Sequence, residues 1–467
     1  MNRPPKLAVA AAVIAALSST LAGATVRCVN PGGTDGCFAS IAAAIAASAS
    51  SGDSIAVAAG TYFEDNIQYN KSVDISGAGI DVTIVDGGGG PLDVFKYPDN
   101  PPSVTATLSN LTVQHGRRGV NTGRFNNLTL DHIRVTQNGP GSGAGIFNNA
   151  SFVRVDHSTI DGNHAADSFF GCDWSGGSGG GIASLCGGGS YHISNSTITG
   201  NTADTWGGGL ILNDGGHVIE NTTISGNHAN FPDAGIGGGA MFLAGGFPDV
   251  TVRFSTIANN TAVGVGGIWG YTVGDAHVKV YATILQGNSN TNCRVDPGAA
   301  AEPITSLGYN ISSDASCPFT QATDLDSTDA MLGPLADNGG PTDTQAPGAF
   351  SPAIDRVSVA DCSVSADQRG VARPQGGACD VGAVEVTTAE QLESLQALVA
   401  GTGPGGSLAA KVASALASLA GADTTGACST LRALLNEVRA QTGKKLSAAE
   451  AAAITAAVQR VRSSLGC

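Results

Sequence analysis

Two acid–histidine pairs are the residues of this sequence that could most readily do chemistry. Asp131 precedes His132 and Asp156 precedes His157, at matching positions of two related stretches, LDHIRVTQN and VDHSTIDGN. If these stretches stack, two like charges come close, which would raise the pKa of one carboxylate or attract a cation. Imidazoles exchange protons near neutral pH. All four residues are candidate catalytic residues, although none is assigned. Asp131 and Asp156 are candidate metal ligands, and calcium is the possible ion because it prefers oxygen.

A solvated acidic patch is the simpler interpretation of the same residues. Ion pairs with a purely structural role also perturb pKa values. At the matching position of two later stretches, Glu220 and Arg253 are expected to pair with each other. Asp161 lies close in sequence and adds a further acid to the same region.

Two other charged stretches carry weaker indications. DLDSTDAMLG contains three acids but lacks the full calcium-loop pattern, so a turn is expected there. In QRGVARPQ, Arg369 and Arg373 are expected to pair with carboxylates such as Asp367 or Asp380 rather than to act in catalysis.

The acid–histidine pairs belong to a phrase of nine residues that recurs along the chain. The copies are LDHIRVTQN (130–138), VDHSTIDGN (155–163), ISNSTITGN (193–201), IENTTISGN (219–227), VRFSTIANN (252–260) and VYATILQGN (280–288). Their final asparagines lie 25, 38, 26, 33 and 28 residues apart. A period in the twenties with variable additions is typical of a solenoid with loops inserted into some coils.

Each copy has the composition of a β-strand, since it is short and rich in Val, Ile and Thr. Stacked coils would align the sixth positions in one buried column, made of Val135, Ile160, Ile198, Ile224, Ile257 and Leu285. They would also align the final amides in a ladder at one corner, made of Asn138, Asn163, Asn201, Asn227, Asn260 and Asn288. This predicts a parallel β-helix. A β-propeller would carry longer blades with recurrent aromatics, and only 5% of this chain is aromatic.

The two ends of the solenoid have their own signals. CFASIAAAIAASAS predicts a short N-terminal capping helix, and the loop-rich stretch from SLGYNISSDASC to CDVGAVE is expected to close the other end. From Thr387 onward, helical spacings and two capping boxes, Thr387 with Glu390 and Ser447 with Glu450, predict a small four-helix module. The predicted division is 25–290 for the β-helix with its cap, 291–386 for the last coils and closing cap, and 387–467 for the helices.

The N-terminus and the charge predict where the protein works. MNRPPK, then LAVAAAVIAALSSTL, then AGA form the three parts of a signal peptide over residues 1–24, with cleavage after Ala24. No later stretch is long and apolar enough to span a membrane. The expected location is therefore outside the cell or at its surface. A net charge of −15 argues against a nucleic-acid partner.

Ten cysteines fall as five neighbouring pairs along the chain. In an exported protein an even count favours disulfides. A metal site is the alternative, but no Cys-x-x-Cys occurs and no histidine stands at a zinc-ligand spacing beside them. The expected bridges are Cys28–Cys37, Cys172–Cys186, Cys293–Cys317, Cys362–Cys379 and Cys428–Cys467.

Several stretches together resemble known exported proteins. GDSIAVAAGTY and KSVDISGAG resemble the entry coil of secreted right-handed β-helix proteins of the pectin-lyase-like type. LGPLADNGGPTDTQA, SPAIDR and DQRGVARPQGGACDVGAVE resemble the bacterial choice-of-anchor Q family, over roughly residues 25 to 386. ACSTLRALLNEVRAQTGKKLSAAEAAAI resembles the helical module named FIMAH. The resemblance implies an all-β, right-handed, single-stranded parallel β-helix with a capping helix and a small C-terminal helical bundle. It transfers no catalytic residue.

Two classes of function follow from these patterns. An exported β-helix could act as a binding scaffold, possibly for a polysaccharide or cell-surface glycan, because a long solenoid offers an extended face. The alternative is a polysaccharide lyase or glycoside hydrolase that acts on an acidic polysaccharide around Asp131 and Asp156. Two-carboxylate hydrolysis needs its acids about 5 to 10 Å apart.

Overall fold

Most of the chain winds into stacked β-coils. The computed structural model describes residues 25–49, 51–100, 102–166, 176–185, 187–231, 237–243, 248–270, 277–295 and 304–467, so the predicted signal peptide lies outside it. Successive coils add parallel strands to three sheets of 19, 9 and 4 strands. The predicted right-handed parallel β-helix is confirmed. Each coil stacks on the coils above and below it, so equivalent positions must match from coil to coil.

The first sheet receives up to two strand segments from each coil. Its strands are Val26–Val29, Ser51–Val57, Gly60–Phe63, Ser72–Ser76, Thr83–Asp86, Thr105–Gln114, Asn127–Thr136, Phe152–Asp156, Thr159–Asp161, Ser190–Ser194, Thr197–Thr199, Gly216–Glu220, Thr223–Ser225, Asp249–Arg253, Thr256–Ala258, His277–Tyr281, Ile284–Gln286, Ile304–Gly308 and Ile311–Ser312.

The other two sheets complete each coil. The second sheet contains Ile67–Gln68, Phe95–Lys96, Val120–Asn121, Ile146–Asn148, Ile182–Ser184, Leu210–Leu212, Met241–Leu243, Ile268–Gly270 and Cys293–Val295. The third contains His164–Ala165, Thr202–Ala203, His228–Ala229 and Thr261–Ala262.

A left-handed residue separates the two segments of the first sheet in six coils and lies within one long strand in two others. We call these residues the bend column: Asn110, His132, His157, Asn195, Asn221, Phe254, Ala282 and Tyr309. Their φ values lie between 45° and 60°. Residues other than glycine seldom adopt this conformation, and asparagine and histidine do so more readily than most. The bend corresponds to the third position of the repeated phrase.

The sixth position of the phrase forms the core, as expected. All six of its side chains are fully buried. Val135 pairs with Ile160, and the register continues coil by coil to Leu285. The aliphatic side chains therefore stack at the strand spacing of about 4.8 Å.

The final asparagines of the phrase are joined by amide hydrogen bonds. Asn163 Nδ2 donates to Asn201 Oδ1 at 2.9 Å and to the Val135 carbonyl at 2.9 Å. Asn201 repeats this pattern toward Asn227 and the Ile160 carbonyl. The backbone N–H of each asparagine also donates to the next side-chain oxygen. Each side-chain amide of the ladder thus has partners within the solenoid.

Four of the expected disulfides are present in the described residues. They are Cys28–Cys37, Cys293–Cys317, Cys362–Cys379 and Cys428–Cys467, with Cα separations between 4.7 and 6.1 Å. The fifth pair, Cys172 and Cys186, lies outside the described residues and stays a prediction.

Helices precede and follow the coils in the sequence. The N-terminal helix α1 is Ile41–Ala47, capped by Ser40. The C-terminal helices are α2, Thr388–Val399; α3, Ser407–Ala420; α4, Thr424–Gln441; and α5, Ala448–Ser464. Both predicted capping boxes form, at the start of α2 and of α5. The four helices share their own hydrophobic core. No helix in the described part of the chain is long and apolar enough to cross a bilayer.

The loop-rich stretch from SLGYNISSDASC to CDVGAVE, which was expected to close the solenoid, also runs back along its side. Residues 304–312 still contribute strands to the first sheet. Residues 336–386, which we call the strap, then lie against the outward threonines of the second strand segments. Helix α5 also contacts the strap, because Arg460 donates to the carbonyl of Ala349 at 2.8 Å.

Gln368 is the central contact of the strap. It is fully buried, and its Nε2 donates to Thr197 Oγ1 at 2.9 Å. Its Oε1 accepts from Thr223 Oγ1 at 2.7 Å, so one amide bridges two successive coils. Small hydroxylated side chains let an irregular segment approach a sheet closely and satisfy its polar groups.

Candidate functional site

The fold brings the two acid–histidine pairs together. Strand Asn127–Thr136 pairs in parallel with Phe152–Asp156, and Asp131 lies directly opposite Asp156. His132 and His157 follow in the bend column, and their rings stack with centroids 4.8 Å apart and planes 14° apart. The shared register of two coils is what produces this contact.

Three of these side chains form a close polar group. Asp131 Oδ1 lies 2.9 Å from His132 Nδ1 and 3.8 Å from His157 Nδ1. One ligand atom from each of the three lies within 4.8 Å of the other two. The side chains of Asp131, His132 and His157 are 37%, 44% and 31% exposed, so a solute can reach them.

Asp156 has a different environment from Asp131. Its Oδ1 accepts from Ser194 Oγ and Asn195 Nδ2, both at 2.9 Å, and its Oδ2 accepts from Arg154 at 3.0 Å. Burial raises the pKa of Asp156, but the hydrogen bonds from Asn195, Arg154 and Ser194 outweigh burial, and the pKa falls below its ordinary value. For Asp156, this is the opposite of the raised pKa that stacked like charges would give.

Two arginines that neutralise acids of this site were not predicted from the sequence. Arg134 forms a two-pronged contact with Asp161, at 3.0 and 2.7 Å, and this hydrogen-bonded pair raises the pKa of Arg134. Arg154 forms a similar ion pair with Asp156, two residues further along the same strand. The contact of Arg154 with Asp156 could have been predicted, because side chains at alternate positions of one strand face the same way.

The strap ends beside this group. It contacts the bend column at four successive coils, through Asn195, Asn221, Phe254 and Ala282. His132 and His157 lie beyond its edge and stay partly exposed.

A groove lies on the same face, next to the site. It measures about 330 Å³ and is lined by residues from four successive coils, namely Gly52, Asp53, Ser54, Ser72, Asp74, Thr105, Ala106, Thr107, Asn127 and Thr129. Thr129 is two residues before Asp131 on the same strand, so the groove leads to the acid–histidine group.

The other charged candidates have structural partners. Glu220 and Arg253 form an ion pair across adjacent coils. In the strap, Arg369 pairs with Asp367 at 3.0 Å and with Glu390 of α2 at 2.6 Å.

Arg373 belongs to a buried part of the same strap. It contacts Glu385 at 3.0 Å and the carbonyl of Asp380 at 2.7 Å. Burial holds the pKa of Asp380 well above its ordinary value. These groups fasten the strap and lie away from solvent.

Comparison with solved structures finds proteins of low sequence identity and low structural similarity to this chain. A pectate lyase aligns with 78% of this chain and 97% of its own, with a TM-score of 0.46 and 17% identity. A pectin methylesterase from Erwinia chrysanthemi aligns with 60% of this chain and 92% of its own, with a TM-score of 0.32 and 11% identity. No protein-family model matches the sequence, and no curated protein is significantly similar. Similarities this low assign no activity here.

Proposed function

We propose that this protein is an exported scaffold that binds an extended, uncharged glycan along the outer face of its first sheet. The observation that carries the proposal is a continuous polar surface, which we call the outer strip. It consists of the outward side chains of the first strand segments, aligned in one register over successive coils, and it includes Asn127, Thr129, Phe152, Arg154 and Asp156.

The spacing between coils along the strip is similar to the spacing between sugar residues in a polysaccharide. Coils repeat about every 4.8 Å, a length similar to that of one sugar residue in an extended chain. Hydroxyl and amide side chains line the groove at its N-terminal end and can exchange hydrogen bonds with sugar hydroxyls. Phe152 is 49% exposed on the strip, and an exposed aromatic ring offers an apolar face to a sugar ring.

The charges on the strip favour a neutral ligand. Three basic side chains of the strip are already held by acids: Arg154 by Asp156, Arg253 by Glu220 and Lys279 by Asp249. The whole chain carries a net charge of −15, which repels a polyanion at long range. An acidic polysaccharide therefore gains little from this surface.

Asp156 is poorly suited to supply the acid that glycoside hydrolysis needs. Glycoside hydrolysis by two carboxyl groups requires one of them to be protonated as the general acid. The lowered pKa of Asp156 keeps that carboxyl ionised near neutral pH.

One observation favours the alternative of a polysaccharide lyase or glycoside hydrolase. The Asp131 carboxylate is hydrogen bonded to His132 at 2.9 Å, and a carboxylate that orients an imidazole can prepare it as a general base. Release of shortened products from a polysaccharide would favour this second candidate.

Export and attachment belong to the same proposal. The signal peptide predicted over residues 1–24 and the disulfides support a location outside the cell or at its surface. The resemblance to choice-of-anchor Q proteins and to the FIMAH module supports the same location. By this resemblance, the helices α2 to α5 stand where such proteins often carry a cell-surface anchor.

A glycan array probed with the purified exported protein tests the proposal. We expect retention on neutral glycans and weak retention on polyuronates. For the best oligosaccharide, calorimetry should show about tenfold weaker binding by Arg154→Ala or Phe152→Ala, the effect of losing about 1.4 kcal/mol. His164→Ala alters the same coil on the third sheet and should bind like the wild type. Equal binding by all variants would remove the strip as the site.

A further inference from the structure

Asp131, His132 and His157 have donor atoms within reach of a single ion. Their ligand atoms lie within 4.8 Å of one another. Around zinc, with bonds of about 2.0 to 2.1 Å to nitrogen and oxygen, tetrahedral neighbours are separated by roughly 3.3 Å. The stacked rings must turn to aim their lone pairs at one point. Their exposed fractions of 44% and 31% leave room for that rotation.

The backbone does not require histidine at these two positions. Both residues have positive φ, 50° at His132 and 45° at His157. Elsewhere in the bend column asparagine meets the same need, at Asn110, Asn195 and Asn221. The fold therefore does not require the imidazole side chains that two successive coils place next to an acid.

The charges around the group leave Asp131 available for a cation. Arg134 is held by Asp161 and Arg154 by Asp156. Asp156 Oδ1 also lies 3.3 Å from His157 Nδ1. A carboxylate behind a metal-binding histidine typically orients its ring, so Asp156 is placed as a positioning residue and not as a ligand.

We propose that Asp131, His132 and His157 bind one divalent transition-metal ion of the zinc class through one carboxylate oxygen and two imidazole nitrogens. Imidazole suits zinc, copper and nickel, whereas calcium takes oxygen ligands. The calcium site expected at Asp131 and Asp156 is thereby replaced by a different ion and a different ligand set. Solvent completes the coordination, because the group lies at the surface. The proposal goes beyond glycan binding and does not depend on it.

Titration of zinc chloride into metal-free exported protein by calorimetry tests the site. The informative variant is His132→Asn with His157→Asn, because asparagine already occupies this bend in other coils and should preserve the fold. The matched control is His164→Asn, an exposed histidine on the third sheet. We expect one zinc ion per chain for wild type and control, and at least tenfold weaker binding for the double variant. Its melting temperature without metal should be unchanged.

Two further measurements separate ligands from neighbours. Asp156→Asn should bind zinc about 10- to 100-fold more weakly, as loss of an orienting partner does. In wild-type protein, zinc should shift the ring resonances of His132 and His157 and leave those of His164 in place. Equal zinc affinity of wild type and double variant, no zinc binding by the wild type, or tighter binding of calcium than of zinc would overturn the proposal.

Discussion

His132 and His157 lie one coil apart in the solenoid and stack with their ring centroids 4.8 Å apart. They are 25 residues apart in sequence, and the contact exists because both occupy the left-handed bend of the first sheet. An insertion or deletion between the two histidines that shifted the register of the coil would separate the two rings. It would also separate Asp131 from Asp156. The site is therefore a product of coil register, which a solenoid enforces through its core and its amide ladder.

The amide ladder should tolerate no loss of its donors. Asn201→Asp preserves size and the accepting oxygen but removes the donors to the Ile160 carbonyl and to Asn227 Oδ1. The Ile160 carbonyl loses this donor, Asn227 Oδ1 keeps only the Asn201 backbone N–H, and a carboxylate is placed in a fully buried position. A buried group without a partner costs about 1 to 3 kcal/mol, and more when it is charged, so we expect a loss of at least about 2 kcal/mol in the free energy of unfolding by denaturant titration. Asn127→Asp, on the exposed strip, should cost under about 0.5 kcal/mol. Equal costs would contradict the ladder's role.

The strap should loosen when its central amide is removed. Gln368→Ala removes hydrogen bonds to Thr197, Thr223 and Thr342 in a fully buried place. We expect a loss of about 2 to 4 kcal/mol, since several buried polar groups lose partners, and faster proteolysis within residues 336–386. Gln375→Ala, a more accessible glutamine in the same segment, is the control. Unchanged proteolysis of the Gln368 variant would show that other contacts hold the strap.

A hydrogen-bonded histidine should make stability depend on pH. His115 lies 2.9 Å from Asp86 and 3.0 Å from Gln137. Burial lowers the pKa of His115, but the hydrogen bonds to Asp86 and Gln137 more than compensate and raise it above 6.5. Burial likewise raises the pKa of Asp86, yet hydrogen bonds from Gln114, Gly88 and His115 bring it below 3.8.

The sign of the effect follows from these two shifts. The contribution of His115 is fully present below pH 6.5 and is lost as the pH rises through its raised pKa. That of Asp86 is present above pH 3.8 and is lost as the pH falls through its lowered pKa. The difference in melting temperature between wild type and His115→Asn should be large at pH 5.5 and small at pH 9. A difference that grows toward pH 9 would refute the pairing.

Part of the site could be predicted because parallel coils repeat their register. The nine-residue phrase was sufficient to align Asp131 with Asp156, to place Ile198 in the core and to assign the asparagine corner. The partners of Asp156 could also have been found this way, since Ser194 and Asn195 hold the second and third positions of the next copy. The path of the strap could not, because Gln368 meets Thr197 across 171 residues with no periodic signal.

The predicted signal-peptide cleavage would place a charged amino group beside Asp53. The backbone nitrogen of Thr25 donates to Asp53 Oδ1 at 3.0 Å, and Asp53 also accepts from Ala49 and Arg27. Cleavage after Ala24 would convert that nitrogen into a charged amino group beside the carboxylate. Intact mass should therefore give a chain that begins at Thr25. Asp53→Asn should lower the melting temperature more in this chain than in one with an extra residue before Thr25. A start elsewhere, or equal effects, would contradict this prediction.

The central claim is that the outer strip binds a glycan, and calorimetry with the best neutral oligosaccharide from the array tests it most directly. The account predicts saturable binding to wild type, about tenfold weaker binding to Arg154→Ala and unchanged binding to His164→Ala, with no shortened product after incubation. Equal affinity of Arg154→Ala and wild type, or preferential binding of polyuronates, would contradict the account.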